Sequence, residues 1–376
     1  MAGIYIHIPF CRKRCHYCDF FKTTDLRPKA RVLEALKQEL ITRSGELASD
    51  QINTIYLGGG TPSVLVVDEL RDLLYTIRNN FQVSPEAEIT TEANPDDLSQ
   101  AVLSYLREVG YNRLSMGIQS FSEQDLKLMN RRHGVFQAVQ SVKWAKSAGF
   151  SNISIDLIYG LPNQNLEEWE RNVKTAIELD VQHISAYNLT YHEGTVFYDQ
   201  LKKGILKELP DELSLQQFQL LIDLLKGSGF EHYEISNFCK PGYYSQHNSS
   251  YWKNEKYLGI GPSAHSFDLA SRRWNVSSVE KYLHGIENQQ SYSESELLSV
   301  RDRYNEYIIT GLRTMWGVSE EVIKSEFPSE YGTHFQEVLK EYLKLGQVIL
   351  SPEKVYLSEE GLFISDKIMA DFMVVD

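Results

Sequence analysis

Six times between residues 3 and 188 a short, largely apolar run reads as a strand. Five of the gaps between these runs carry apolar residues at helical spacing. The runs cover residues 3–8, 54–57, 87–92, 113–118, 153–159 and 183–188, and the helical patterns cover 27–42, 67–78, 99–109, 136–148 and 166–179. This alternation constrains the fold more than any other feature. Strand, crossover helix and strand in one sheet require parallel strands joined by right-handed connections. Polar or glycine residues follow many of the runs: Gly58 to Thr61, Glu92, Gln119 and Gly160. In barrel-like α/β folds the site lies at the C-terminal ends of the strands. The first half therefore predicts an α/β fold with a single functional mouth.

The pattern changes near Pro210. A helix is expected over 211–226, then Tyr233-Glu-Ile235, an aromatic segment over 243–267, helices over 296–314 and 330–345, and a strand pair at 347–350 and 355–357. These changes predict three units: 1–209, a connecting helix and aromatic segment over 210–292, and a smaller C-terminal α+β unit over 293–376. The last resembles a winged helix in element order, but its acidic helices argue against DNA. A chain of 376 residues, 42% hydrophobic, suits one large unit and a smaller one. A net charge of −13 argues against nucleic acid as the main partner, because phosphate binding needs a basic footprint. No apolar run approaches the roughly 20 residues of a membrane span, so an integral membrane protein is not expected. Peripheral membrane contact stays open. The N-terminus lacks the pattern of a signal peptide.

Three of the four cysteines fall within eight residues, in Cys11-Arg-Lys-Arg-Cys15-His-Tyr-Cys18. A secreted disulfide framework would spread its cysteines, so a cytoplasmic location is expected. Three thiolates on a short loop can hold one face of a 4Fe–4S cubane and leave one iron open. Zinc is the alternative, with His16 as a cramped fourth ligand. Cys239 stands alone and reads as a structural thiol.

The loop and its flanks, Tyr5-Ile-His-Ile-Pro-Phe-Cys11 and Cys18-Asp19-Phe20, resemble the HemN/HemW family of the radical SAM superfamily, and the HemW branch within it. Several motifs recur in order, to at least Arg313. The resemblance implies a partial (β/α)6 radical SAM barrel, a 4Fe–4S cluster on Cys11, Cys15 and Cys18, and S-adenosylmethionine (SAM) cleaved to an adenosyl radical. It implies SAM contacts at Tyr5, Gly59, Gly60, Thr61 and Glu92, the last accepting from a ribose diol. Gln119, Arg131 and Asp156 match positions that contact a second SAM in the coproporphyrinogen enzyme, although Asp156 could equally brace Arg131. His247-Asn-Ser-Ser-Tyr-Trp252 matches an HNxxYW motif, so heme is expected as a ligand, with His247 as its axial imidazole and His265 as a second candidate. A buried core histidine is an equally good reading of His247. The basic run Arg12 to Arg14 suggests a dock for an acidic flavodoxin- or ferredoxin-like electron donor.

Two functions fit these residues. One is a heme chaperone that delivers heme to an acceptor protein. The other is oxygen-independent decarboxylation of coproporphyrinogen III. The coproporphyrinogen enzymes carry a fourth cysteine where this chain has Phe20, and an N-terminal arm that Cys11 leaves no room for. Both features favour the chaperone.

Overall fold

The computed structural model describes residues 2–352 and 354–375. Met1, Glu353 and Asp376, which fall within the outer two expected units, lie outside the described residues. The six expected strands form in order: β1 (Ala2–Ile8), β2 (Ile52–Gly59), β3 (Val83–Ala93), β4 (Arg113–Gln119), β5 (Ile153–Tyr159) and β6 (His183–Asn188). Each pairs in parallel with the next. β1 is buried at Ile4, Ile6 and Ile8 on one face and at Gly3 and His7 on the other. Such two-sided burial is what a parallel sheet covered by helices requires.

The segment after residue 210 does more than connect. It contributes β7 (Glu231–Glu234), β8 (Asn237–Cys239), β9 (Lys256–Ile260), β10 (His265–Phe267) and β11 (Ser271–Asn275), and β12 (Ser293–Leu297) follows. All join one twelve-stranded sheet of order β12-β11-β10-β9-β1-β2-β3-β4-β5-β6-β8-β7. β9 pairs in parallel with β1, from Ala2 opposite Lys256 to Ile6 opposite Ile260. β8 closes onto β6 antiparallel. The helix expected over 296–314 starts later, at Val300, because 293–297 is edge strand with its side chains largely in solvent.

β13 (Val318–Ser319) leads into helices Glu320–Glu326 and Ser329–Lys344, and β14 (Val348–Ser351) and β15 (Lys354–Leu357) follow; the three strands form an antiparallel sheet of order β13-β15-β14. This is the small α+β unit expected. It has its own core, built on Tyr304, Ile308, Phe335, Leu339 and Phe372.

One ion pair locks the β9 end of the main sheet. Glu39, on the helix Lys29–Thr42, is fully buried. Its carboxylate accepts from Arg43 Nη1 (2.9 Å), Asn275 Nδ2 (2.8 Å), Gly261 N (2.8 Å) and Tyr282 OH (2.7 Å). Arg43 also donates to Gly259 O (2.9 Å) and Ser266 Oγ (3.0 Å). A buried carboxylate survives only with this density of donors. The pair thus ties the first crossover helix to strands more than 200 residues away.

Candidate functional site

The strands end around a cavity of about 380 Å³, and Cys11, Cys15 and Cys18 line it together. The loop that carries them is stapled to the rest of the fold. Cys11 N donates to Thr23 O (2.9 Å), His16 N to Met129 O (3.1 Å), and Asn130 Nδ2 to Arg14 O (2.8 Å). Cys11 Sγ lies 3.2 Å from Thr61 Oγ1, and Cys15 Sγ accepts from Arg131 Nη1 at 3.3 Å. All three cysteines are free thiols. Burial pushes the Cys11 thiol up to about 11, with the Thr61 hydroxyl opposing the shift.

The donor set fits an iron–sulfur cubane. Among the described residues no three Cys, His, Asp or Glu side chains converge on one point. A cubane needs no such convergence, because each iron takes its own thiolate. The zinc alternative needed His16. That imidazole is instead bonded through Nδ1 to Leu128 O at 2.9 Å and lies outside the cavity lining.

Gly58, Gly59 and Gly60 end β2 against the start of the cysteine loop. Gly59 has φ +103, and a β-carbon there would lie 2.6 Å from the His7 ring. Gly60 N donates to Ile8 O at 2.8 Å, and a β-carbon would lie 2.8 Å from the carbonyl oxygens of Ile8 and Phe10. Only glycine permits that approach. Gly59, Gly60 and Thr61 all line the cavity, as does Glu92 at the end of β3. Glu92 accepts from Tyr56 OH at 2.8 Å and from Gly59 N at 3.2 Å. Burial, and then the nearby Asp156, push its carboxyl up to about 7 against those two hydrogen bonds.

Gln119, Arg131 and Asp156 also line the cavity. Gln119 adopts φ +69, beside a register break between β4 and β5. A glutamine held in the left-handed region is strained, and such strain concentrates at functional sites. Arg131 donates to Asn94 Oδ1 and Gly117 O, both at 2.6 Å. Its partners thus come from β4, the turn after β3 and, through Cys15 and Tyr17, the cysteine loop, and none of its hydrogen bonds goes to Asp156. Burial, opposed by Arg113, pushes Asp156 up to about 6.

Two expected ligand contacts stand elsewhere. Tyr5 is outside the cavity lining; its OH bonds His7 Nδ1 (3.1 Å) and its ring lies behind Tyr56. His247, the expected heme ligand, is 1% exposed. Its Nδ1 bonds Thr54 Oγ1 and its Nε2 bonds Tyr251 OH, both at 2.8 Å, while its ring stacks on Tyr56 at 5.2 Å. With both nitrogens engaged, this imidazole has no lone pair to offer iron, so the buried-core reading is the one the geometry supports. It braces Tyr56 and, through it, Glu92. His265 is exposed on β10, away from the cavity. The basic run is also partly consumed: Arg12 Nε pairs with Asp97 at 3.2 Å and Arg14 Nη2 donates to Gly194 O at 2.5 Å.

Sequence reading missed Tyr56 and Arg113. Both line the cavity, and Arg113 is 1% exposed, its Nε 3.8 Å from Glu88 Oε2 and its Nε and Nη1 without a hydrogen bond among the described residues. The signal was period-two alternation: Arg113, Ser115, Gly117 and Gln119 share one face of β4, opposite Leu114, Met116 and Ile118.

Comparison with known proteins agrees with this geometry. Residues 5–176 match the radical SAM superfamily and 298–364 the HemN C-terminal domain. The heme chaperone HemW of Bacillus subtilis (strain 168) is 37% identical over 99% of both chains. The chain belongs to the HemN/HemW family of radical SAM proteins. HemW of Escherichia coli (strain K12) is 38% identical, over 70% of this chain and 69% of its own. The solved structure of coproporphyrinogen III oxidase (HemN) from Escherichia coli superposes with a TM-score of 0.87 at 26% identity, covering 99% of this chain and 90% of that one. Membership implies a 4Fe–4S cluster and SAM, and the thiols, glycine turn and carboxylate above fit them.

The Glu92 carboxyl provides a pH test. A ribose diol donates to the ionised form, so SAM affinity should be full above pH 7 and fall as the carboxylate is protonated below it. Between pH 8 and pH 6 a carboxyl titrating near 7 should weaken binding about tenfold. Glu92→Ala should cost about 1.5–3 kcal/mol at pH 8 and flatten the profile. Isothermal titration of the reconstituted protein reads both. Undiminished affinity in Glu92→Ala would remove this residue from the SAM site.

Proposed function

We propose that this chain is a heme chaperone that takes up heme, passes it to an acceptor protein, and carries a SAM-binding 4Fe–4S cluster on Cys11, Cys15 and Cys18. The observation that carries this reading is Phe20. Where coproporphyrinogen enzymes are expected to hold a fourth cysteine, this chain places an aromatic ring, 66% exposed, on the lining of the cysteine cavity. An exposed apolar ring beside a cavity mouth suits the face of a porphyrin, whose binding draws on apolar area. The full-length likeness to proteins named heme chaperone HemW supports the same conclusion.

When bound, the cluster would supply an electron and an open iron position, and SAM the adenosyl group. The chain's own groups have simpler tasks. Glu92 accepts hydrogen bonds at the ribose end, with Tyr56 and Gly59 fixing its orientation. Gly60 lets backbone approach the ligand, and Thr61 braces Cys11. Arg131 holds Cys15 and keeps a buried Nε without a partner among the described residues. Gln119 and Asp156 supply the remaining polar wall, as a second SAM would require. The free thiols favour a reducing compartment, the cytoplasm. Among the described residues no helix is long and apolar enough to cross a membrane. Lys13 is the cation of the basic run that remains for an acidic electron donor.

The likeness to coproporphyrinogen III oxidase favours a second reading, radical decarboxylation of porphyrinogen propionates. One anaerobic, reconstituted sample separates the two. Hemin-loaded protein should pass heme to an apo-acceptor, more slowly once the cluster is removed. The same sample with SAM and reductant should leave coproporphyrinogen III unconverted. Decarboxylation at an enzyme-like rate would overturn the chaperone reading.

A further inference from the structure

The chain has ten histidines, and a chaperone must present one of its donors to the iron of its cargo. Of the ten, His192 alone lines the cysteine cavity. His7, His133, His183 and His247 are buried. His192 is 49% exposed, in the loop after β6, and its Nδ1 lies 3.6 Å from Asp19 Oδ2. Asp19 directly follows Cys18. Metal-ligating histidines commonly keep a carboxylate near the ring nitrogen that does not bind the metal. Lining residues that are also exposed form the mouth. Among them, beside His192, are Phe20, Tyr187 and Lys13: two aromatic rings for a porphyrin face and a cation for a propionate.

We propose that His192 Nε2 is the axial ligand through which this chain holds heme at the mouth of the cysteine cavity. The bond is a lone-pair donation to iron, with no change of oxidation state and no proton lost from the Nδ1 side. The inference rests on the chaperone reading. It also gives that reading a physical link between cargo and cluster. The His192 loop is bolted to the cysteine loop: Arg14 Nη2 donates to Gly194 O at 2.5 Å, and Phe197 N to His16 O at 3.0 Å. Loss of the cluster would loosen the loop that carries Asp19, and with it the ligand.

The test adds hemin to the cluster-loaded full chain and reads the heme by electron paramagnetic resonance and magnetic circular dichroism, with heme transfer to an apo-acceptor in parallel. His192→Ala should lose the histidine-ligated signature, and added imidazole should restore it. Asp19→Asn should keep that signature but weaken hemin affinity about tenfold or more. His265→Ala should match the unsubstituted chain. Cluster iron content checks that each variant is folded. If the unsubstituted chain transfers heme and His192→Ala keeps the signature, the ligand assignment is wrong and the chaperone reading stands. If the unsubstituted chain neither takes up hemin at one site nor transfers it, both fail together.

Discussion

Alanine at Cys11, Cys15 or Cys18 is expected to abolish the cluster outright, while Cys239→Ala leaves it intact. Reconstituted protein should carry about four irons per chain and each of the three variants close to none. The effect is all-or-none for a geometric reason. The three thiols line one cavity on one loop, and each has a neighbour that aims it: Thr61 at Cys11, Arg131 at Cys15, and for Cys18 the Lys22 Nζ that donates to its carbonyl at 2.8 Å. A cubane already lacking a protein ligand at one iron does not tolerate a second open position. Cys239 is buried in β8, opposite His183 of β6, and lies outside the cavity lining. Iron analysis and visible absorption after anaerobic reconstitution decide the matter. A requirement for Cys239, or full iron in any of the three variants, would replace the three-thiolate site with another.

The second large effect concerns stability. Arg43→Met should lower the unfolding free energy by about 3–5 kcal/mol, the cost of leaving a buried charge without its partner. Arg43 is 3% exposed at its side chain and Glu39 is fully buried. The remaining donors on Glu39, from Gly261, Asn275 and Tyr282, are neutral and cannot replace the cation. Adding Glu39→Gln to Arg43→Met should recover part of the loss, because an amide needs hydrogen bonds but no countercharge. Urea denaturation of the unsubstituted chain and the two variants reads the midpoints. A single-variant cost below about 1 kcal/mol would mean that the lock is not ionic.

The HNxxYW motif leaves two roles open to sequence reading, a heme ligand and a core histidine, and its folded geometry favours the second. A histidine followed by tyrosine and tryptophan suggests a heme ligand when the porphyrin is already in mind. The helix Gln246–Trp252 instead turns His247 inward, between Thr54 and Tyr251, and Trp252 outward, under the Arg313 guanidinium at 4.4 Å. Arg313 in turn donates to Glu234 Oε1 at 2.6 and 2.9 Å. The motif therefore spans from beneath the candidate SAM site to the helix that opens the C-terminal unit. Which way each side chain faces depends on partners far away in the chain, so spacing within six residues could not decide it.

What was legible from the chain alone was whatever local rules govern. The cysteine loop is eight residues long, and thiol spacing is a property of the loop itself. Strand and helix periods of two and 3.6 are local as well, which is why the six parallel strands, the glycine turn at 58–60 and Glu92 at a strand end were all predictable. The tertiary structure decided the contacts that cross the chain. It set β9 beside β1, more than 200 residues apart, and made the segment after 210 part of the main sheet. It withdrew Tyr5 and His247 into the packing behind Tyr56, and brought the unforeseen Arg113 and His192 to the cavity. Burial and long-range pairing are set by the competition of every apolar and polar group for the interior. No window of sequence contains that competition, so only the folded chain shows which histidine stands at the cavity.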